Sequence, residues 1–494
     1  MSVQILVLWT DWLIYLLVAL IVSTIVYTRG REHLRAPWRR VAQSVSGMIG
    51  LVVLLMFVIA GLLDSVHFRP RLAGNNAEAK AAYAVEVLSV LDVFLEPLRT
   101  RREKTYSAPL ATHLYAKEMV ELPDGSQARD FPRLKFGGAH LKDAEQDWAA
   151  DVTLGALSGG AAGAFLWLLC ALLLAASFAR GSRLRVPQAW SRIWRGETDA
   201  PWRAILLTLL VFCALAGATV DLAGKFHVLG TDKVGQDVLY QSLKSIRTGL
   251  VIGTLTTLVM LPFALALGIA AGYFGGWIDD VIQYVYTTLN SIPGVLLIAA
   301  AVLMMQVYID GHPELFPTAA QRADLRLLFL CIILGVTSWT GLCRLLRGEA
   351  LKLRELEYIQ AAQAFGVRSH RIITRHILPN VMHIVLISVV MEFSGLVLAE
   401  AVLSYVGVGV DPSMNSFGTM INNARLEMAR EPMVWWSLAA AFVFMVTLVL
   451  AANLFADAVR DAFDPRVRTR GLSPLRLAQL LRARGTRQST TGAA

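Results

Sequence analysis

Long apolar runs alternate with short polar stretches along most of this chain, and the length of those runs decides its class. Runs at about 5–27, 44–63, 153–178, 204–222, 250–273, 284–307, 327–346, 381–405 and 435–455 each come near the roughly 20 residues that cross a bilayer as a helix. They predict an all-α integral membrane protein, a polytopic bundle of about nine transmembrane helices. Between the second and third runs, residues 64–152 form a stretch long enough for a small domain outside the membrane. Its pattern predicts a helix over 78–102 and a hairpin of 113–122 and 127–134 about the turn residues Pro123, Asp124 and Gly125. We read it as a structural cap over one face.

The first run lacks a basic start and a small-residue cleavage site and carries Asp11 early, so it reads as a retained helix. Arginines then set the orientation. Arg29, Arg31, Arg35, Arg39 and Arg40 follow the first run, Arg180, Arg183, Arg185, Arg192 and Arg195 follow the third, and a basic tail follows the last. Basic loops stay in the cytoplasm, which predicts the N-terminus out and the C-terminus in. The net charge of +9 over 494 residues is therefore assigned to topology and not to nucleic acid. With 55% hydrophobic and 17% charged residues, a soluble globular protein is excluded. Cys170, Cys213, Cys331 and Cys343 lie inside apolar runs without metal-site spacing and read as packing residues. Neither a phosphate-cradling G-x-x-x-x-G-K-[ST] nor a zinc-binding H-E-x-x-H is present, so no catalytic group or cofactor is expected and any ATP is hydrolysed by a partner.

The polar segment 357–380, EYIQAAQAFGVRSHRIITRHILPN, stands between two long apolar runs. Tyr358, Ile359, Ala362 and Phe365 fall on one helical stripe, and Gly366 suits the left-handed position that ends such a helix. A second short helix is expected to stop before Pro379. The whole reads as a ridge offered to a partner's groove.

This segment resembles the cytoplasmic EAA loop of binding-protein-dependent ABC importer permeases, matched at Gln360, Ala361, Ala362, Gly366, Ile377, Leu378 and Pro379. Gln360 stands where many members have Glu, and His376, usual in the dipeptide, oligopeptide and nickel branch, stands where many others have an apolar residue. Leu229, Gly230, Thr231, Asp232, Gly235, Asp237, Val238 and Leu239 are similar to that branch's LGTD-x-x-G-R-D-V-L signature, with Gln236 in place of Arg. Glu400, Leu403, Ser404, Gly407 and Gly409 match its E-x-x-L-S-F-L-G-x-G segment, with Phe417 where a Trp is usual. The resemblance covers about 204–466, a six-helix permease core. Two extra helices in 1–63, the insert 64–152, a third helix with its basic loop in 153–203 and the tail 467–494 fall outside it.

The resemblance implies a permease subunit of the bacterial inner membrane that moves peptides or similar small solutes, with nickel open as an alternative. It implies a second homologous permease, two ATP-binding cassette subunits that hold ATP and Mg, and an extracytoplasmic solute-binding protein. Glu357, Gln360, Ala361, Ala362, Gly366, Leu378 and Pro379 would then form the ATPase-docking loop. An ion-coupled secondary transporter is the rival reading and would call for inverted repeats and several acids within helices. Three polar groups are candidates for the solute pathway: Glu392 near mid-helix, Glu400 nearer its outer end, and Asn290 beside the helix-breaking Pro293. Glu392 either meets a cationic solute group or locks helix packing. Thr231 or Asp232 is expected to cap an amphipathic helix at the outer interface, with Lys244 and Arg247 reaching lipid headgroups.

Overall fold

The computed structural model describes residues 3–463 apart from 72–82, 85, 122–126, 145, 183, 184, 313 and 315–317. Strand β1 (Val3–Leu6) leads into α1 (Trp9–Arg29), the short α2 (Glu32–Val41) and α3 (Val45–Asp64). Strands β2 (His67–Pro70) and β3 (Leu88–Ser89) complete an antiparallel sheet with β1, in which Val3 faces Pro70 and His67 faces Ser89. Helical turns α4 (Val90–Phe94) and α5 (Glu96–Thr100) follow, then the hairpin of β4 (Glu118–Glu121) and β5 (Gln127–Asp130).

The hairpin forms between the two expected stretches, but its strands cover only Glu118–Glu121 and Gln127–Asp130 of the predicted 113–122 and 127–134; residues 122–126 lie outside the described residues. The helix over 78–102 is not continuous. Leu88 and Ser89 pair as a strand, Ser89 caps α4 by accepting the Asp92 amide at 3.2 Å, and Pro97 starts a new turn. A capping serine and a proline outweigh the helical propensity of their neighbours.

Next come α6 (Trp148–Ser182), α7 (Val186–Arg195) and α8 (Trp202–Ala223). The α6 glycines do meet a neighbour: a Cβ on Gly163 would lie 2.0 Å from the Cys213 carbonyl oxygen, and one on Gly159 2.4 Å from that of Gly217. Only hydrogen atoms at these positions let α6 and α8 touch backbone to backbone.

The remainder is α9 (Val238–Phe274), α10 (Gly276–Ser291), α11 (Gly294–Gly311), α12 (Ala319–Ser338), α13 (Thr340–Arg354), α14 (Glu357–Ala364), α15 (Ser369–Ile372), a π-helical turn (Ile373–Ile377), α16 (Leu378–Tyr405), α17 (Phe417–Glu427) and α18 (Trp436–Phe463). Among the described residues, nine helices are long and apolar enough to cross a membrane. Pro293 divides α10 from α11, as its missing N–H dictates.

Helix α9 departs from expectation. No separate interfacial helix precedes it; Asp237, not Thr231 or Asp232, caps it, accepting the amides of Leu239 at 2.8 Å and Tyr240 at 3.2 Å. Thirty-seven residues then run without a break, with most of one flank buried against α3, α12, α13 and α16. Helices α1 and α3 are not appendages either: α3 packs between α18 and α9, and α1 lies on α12.

The bundle has two distinct ends. At one, β1, the insert, the loop before α9 and the start of α18 come together, joined by the Trp436 indole N–H donating to the Thr231 carbonyl at 3.0 Å. At the other, Trp38 of α2 meets Phe463 edge-on, ring centroids 5.3 Å apart, and the loop from α13 to α16 emerges.

Candidate functional site: an exposed loop on a buried anchor

Three isoleucines hold the loop 357–380 on the bundle. Ile359, Ile372 and Ile377 are fully buried in a cluster with Tyr273, Tyr286, Leu346 and Ala350. Burying each contributes about 1.5–3 kcal/mol of transfer free energy, enough to fix a segment of this size. The apolar stripe is therefore split. Ile359 and Ala362 face the loop's own protein, whereas Tyr358 is 46% and Phe365 85% exposed. The ridge left for a partner consists of Glu357, Tyr358, Gln360, Ala361, Gln363, Ala364 and Phe365, all exposed.

Gly366 sits at φ +72°, the left-handed region that costs other residues about 1–2 kcal/mol, and no atom lies within 4 Å of where its Cβ would be. The turn brings the Val367 amide back to the Ala362 carbonyl at 3.1 Å, sealing the end of α14. The second helix does not stop before Pro379. A π-helical turn takes up one extra residue, and Pro379 falls in the first turn of α16, where its missing N–H has no partner to lose. Leu378 and Pro379 thus join the loop rigidly to α16, and the Tyr358 hydroxyl, 3.2 Å from Asn380 Nδ2, closes the loop on itself.

Beneath the loop, Arg347 of α13 forms a two-pronged pair with Asp279 of α10, Nε–Oδ1 2.5 Å and Nη2–Oδ2 2.7 Å. The Arg347 guanidinium holds the Asp279 carboxyl below the usual carboxylate range. This pair binds α10 to α13 directly behind the loop.

The pathway candidates separate. Glu392 on α16 is half-buried and has no hydrogen-bond or ion-pair partner among the described residues. Asn290 accepts a hydrogen bond from the Thr340 hydroxyl at 3.1 Å. Glu400 does not line an open path: it is 1% exposed and accepts from the hydroxyls of Ser404 at 2.7 Å and Ser416 at 2.8 Å, which ties α16 to α17.

At the opposite end, residues expected at the interface are locked in charge clusters. Lys244 meets Asp64, and Asp92 at 3.1 Å. Arg247 lies beside Asp11 at 2.6 Å and Asp324 at 3.7 Å, and its Nε donates to Ser65 Oγ at 3.3 Å. His67 completes this cluster, Nδ1 2.8 Å from Asp11. The insert is clamped to the loop before α9 by His227, whose Nδ1 is 2.8 Å from Asp237 and whose Nε2 is 3.5 Å from Glu103. Burial opposes a charged imidazole, yet the two carboxylates raise His227 to about 9. Burial likewise opposes ionised Glu103, but His227 and the amides of Lys135, Phe136 and Gly137 bring it to about 2.

The family model described as "Binding-protein-dependent transport system inner membrane component" matches residues 264–469, from the last third of α9 onward. An oligopeptide transport system permease protein of Mycobacterium bovis is 33% identical over 252 residues, 51% of this chain and 80% of that protein. A glutathione transport system permease protein of Pectobacterium atrosepticum is 29% identical over 321 residues, 61% of this chain and 99% of that protein. A dipeptide transport system permease protein of Bacillus subtilis is 28% identical over 242 residues, 49% and 69% respectively. A solved methionine ABC transporter aligns over 46% of this chain at 15% identity with a TM-score of 0.34, a likeness that carries no argument. With its apolar helices and a matched core that contains the loop, the chain belongs to the family of inner-membrane components of binding-protein-dependent transport systems.

Proposed function

We propose that this chain is the permease subunit of an ATP-driven importer of peptides, with loop 357–380 as the seat of a partner ATPase. The observation that carries the reading is the loop's construction: an exposed ridge ending in Phe365, set on the buried anchors Ile359, Ile372 and Ile377. Such a knob has no cavity of its own chain to fill and suits a groove on a soluble partner. The similarity to oligopeptide, dipeptide and glutathione transport permeases favours a peptide cargo.

In this reading hydrolysis occurs in the partner, and the chain itself holds neither ATP nor Mg. Movement of α14 passes through the Gly366 turn into α16 and through the Asp279–Arg347 pair into α10, and the path between this chain and a second permease changes the side to which it opens. An extracytoplasmic binding protein delivers cargo at the capped end, which places the N-terminus outside and Phe463 inside. Glu392 would meet the cationic amino terminus of a passing peptide.

The test is purification of tagged protein from its native cell in mild detergent, with identification of what accompanies it and peptide uptake by the reconstituted complex. An ATPase and a second permease that co-purify, with the ATPase lost from Ala361→Asp/Gly366→Asp, are the expected result. Uptake by this chain alone, driven by an ion gradient without ATP, would overturn the assignment.

A further inference from the structure

Two stretches of the chain are built alike. Residues 9–67 run from membrane helix α1 through arginine-rich α2 to membrane helix α3, followed by His67; residues 148–227 run from α6 through arginine-rich α7 to α8, followed by His227. In both, the short helix is pinned by its apolar side. Val41 of α2 is buried against Ala458, Val459 and Ala462. Ala189 and Ile193 of α7 are buried, Ile193 among Ala171, Ala175 and Leu206. The polar sides carry arginine: Arg35, Arg39 and Arg40 on α2, and Arg192 and Arg195 on α7, are all exposed.

Residues 29–44 and 180–203 together hold eleven arginines, no lysine and three acids. Orientation in the membrane accounts for the sign of these charges but is served equally by lysine on a loose loop. Here the side chain is arginine at every position, and α2 and α7 are both fixed to the protein. Among the described residues, Arg39 alone of these arginines has an acidic partner, Asp199 at 3.2 Å, an exposed contact that brings the two loops side by side. Their place is set by the flanking helices: α1 and α6 end, and α3 and α8 begin, within a few residues of them, at the boundary of the apolar layer. Half-buried Trp190, Trp194 and Trp202 stand at the same level, where indoles favour the junction of hydrocarbon and headgroup.

We propose that α2 and α7 form a single docking surface for anionic phospholipid headgroups, in the leaflet on the side of loop 357–380. Guanidinium groups bind phosphate oxygens by two parallel N–H donors, a geometry an ammonium does not offer. A row of them without carboxylate partners, held at the level of the phosphodiesters, is matched by the headgroups of that leaflet. Bound lipid then bridges the peripheral α6–α8 pair, which meets the rest of the bundle chiefly through α3, to the core.

The experiment uses the full chain in nanodiscs of phosphatidylcholine alone or with phosphatidylglycerol. Arginine modification by phenylglyoxal, read by peptide mass spectrometry, should slow at least fivefold at Arg35, Arg40, Arg192 and Arg195 when phosphatidylglycerol is present. Equal modification in both discs overturns the proposal without need of any variant. In detergent, native mass spectrometry should show phosphatidylglycerol retained over phosphatidylcholine, and retention should fall about tenfold in R35Q/R40Q/R192Q/R195Q. Retention unchanged in that variant, or displacement of the lipid by millimolar inorganic phosphate, counts against a membrane-lipid surface. So does loss of binding to a co-purifying soluble partner with lipid retention intact, which would give the surface to a protein.

Discussion

Asp11 and Arg247, 236 residues apart in the chain, meet at 2.6 Å inside the bundle. Neither charge reaches water: both are buried, and the remaining Arg247 contacts are Thr10 at 2.9 Å, Ser65 and Asp324. Removing one member of a buried pair costs about 3–5 kcal/mol, because the other is left without compensation. Asp11→Ala should therefore lower the unfolding midpoint of the detergent-solubilised protein by several degrees and expose α1 to protease. A melting curve like that of the unaltered chain would show that Asp324 alone neutralises Arg247.

The clamp between insert and core responds to pH at both edges. His227 is raised to about 9 from 6.5, so its contribution is complete below 6.5 and is lost as pH rises through about 9. Glu103 is lowered to about 2 from 4.5, so its contribution is complete above 4.5 and is lost as pH falls through about 2. Hydrogen exchange at the Glu103 amide, which donates to the Gly235 carbonyl at 2.9 Å, should be slowest between 4.5 and 6.5 after correction for intrinsic rates. It should quicken toward pH 9.5, and His227→Gln should remove that alkaline change.

Gly366→Asp should reduce peptide uptake at least tenfold at an unchanged level in the membrane. Gly366→Asn, which tolerates a positive φ and adds no charge, should retain most of it. Equal loss in both variants would point to the bulk of any side chain, and full uptake in both would remove the turn from the coupling role.

Gly163→Leu drives a side chain into the Cys213 carbonyl, and overpacking of this kind costs about 1–3 kcal/mol. The expected result is selective loosening of α6 from α8, seen as proteolysis between the two helices, with loop 357–380 unaffected.

Glu392→Gln keeps shape and removes the carboxyl at a half-buried position without a partner among the described residues. Uptake of peptides with a free amino terminus should fall, and that of amino-acetylated peptides should not. Identical uptake of every peptide tested would sink the pathway role.

The helices were legible because bilayer thickness imposes one length on every span, and the hairpin because Pro123, Asp124 and Gly125 mark its turn whatever surrounds it. The start of α9 was not. Lys244 and Arg247 are the residues an interfacial helix would carry, and the acids beside them are distant in sequence: Asp11, Asp64 and Asp92 lie more than 150 residues earlier, and Asp324 lies on α12. Nothing local distinguishes a charge facing lipid headgroups from one facing a distant partner. The loop 357–380 was half legible: Gly366 declared its turn, but the direction of the apolar stripe depended on Tyr273 and Leu346, which reach Ile359 only in the folded bundle. Pro379 misled because a π-helical turn, which leaves no mark in composition, moved it to a place where proline is harmless.

At 37 residues and about 1.5 Å of rise each, α9 is roughly 55 Å long, nearly twice the roughly 30 Å of bilayer hydrocarbon. Asp237, which caps its start, is tied through His227 to Glu103 of the insert, and its last turn holds Tyr273 under Ile359. The helix thus joins two fittings, with Pro262 between them. Where α9 turns as one body about Pro262, a tilt of a few degrees at the loop end displaces the far end by several ångströms, so any force on loop 357–380 also changes the posture of the cap.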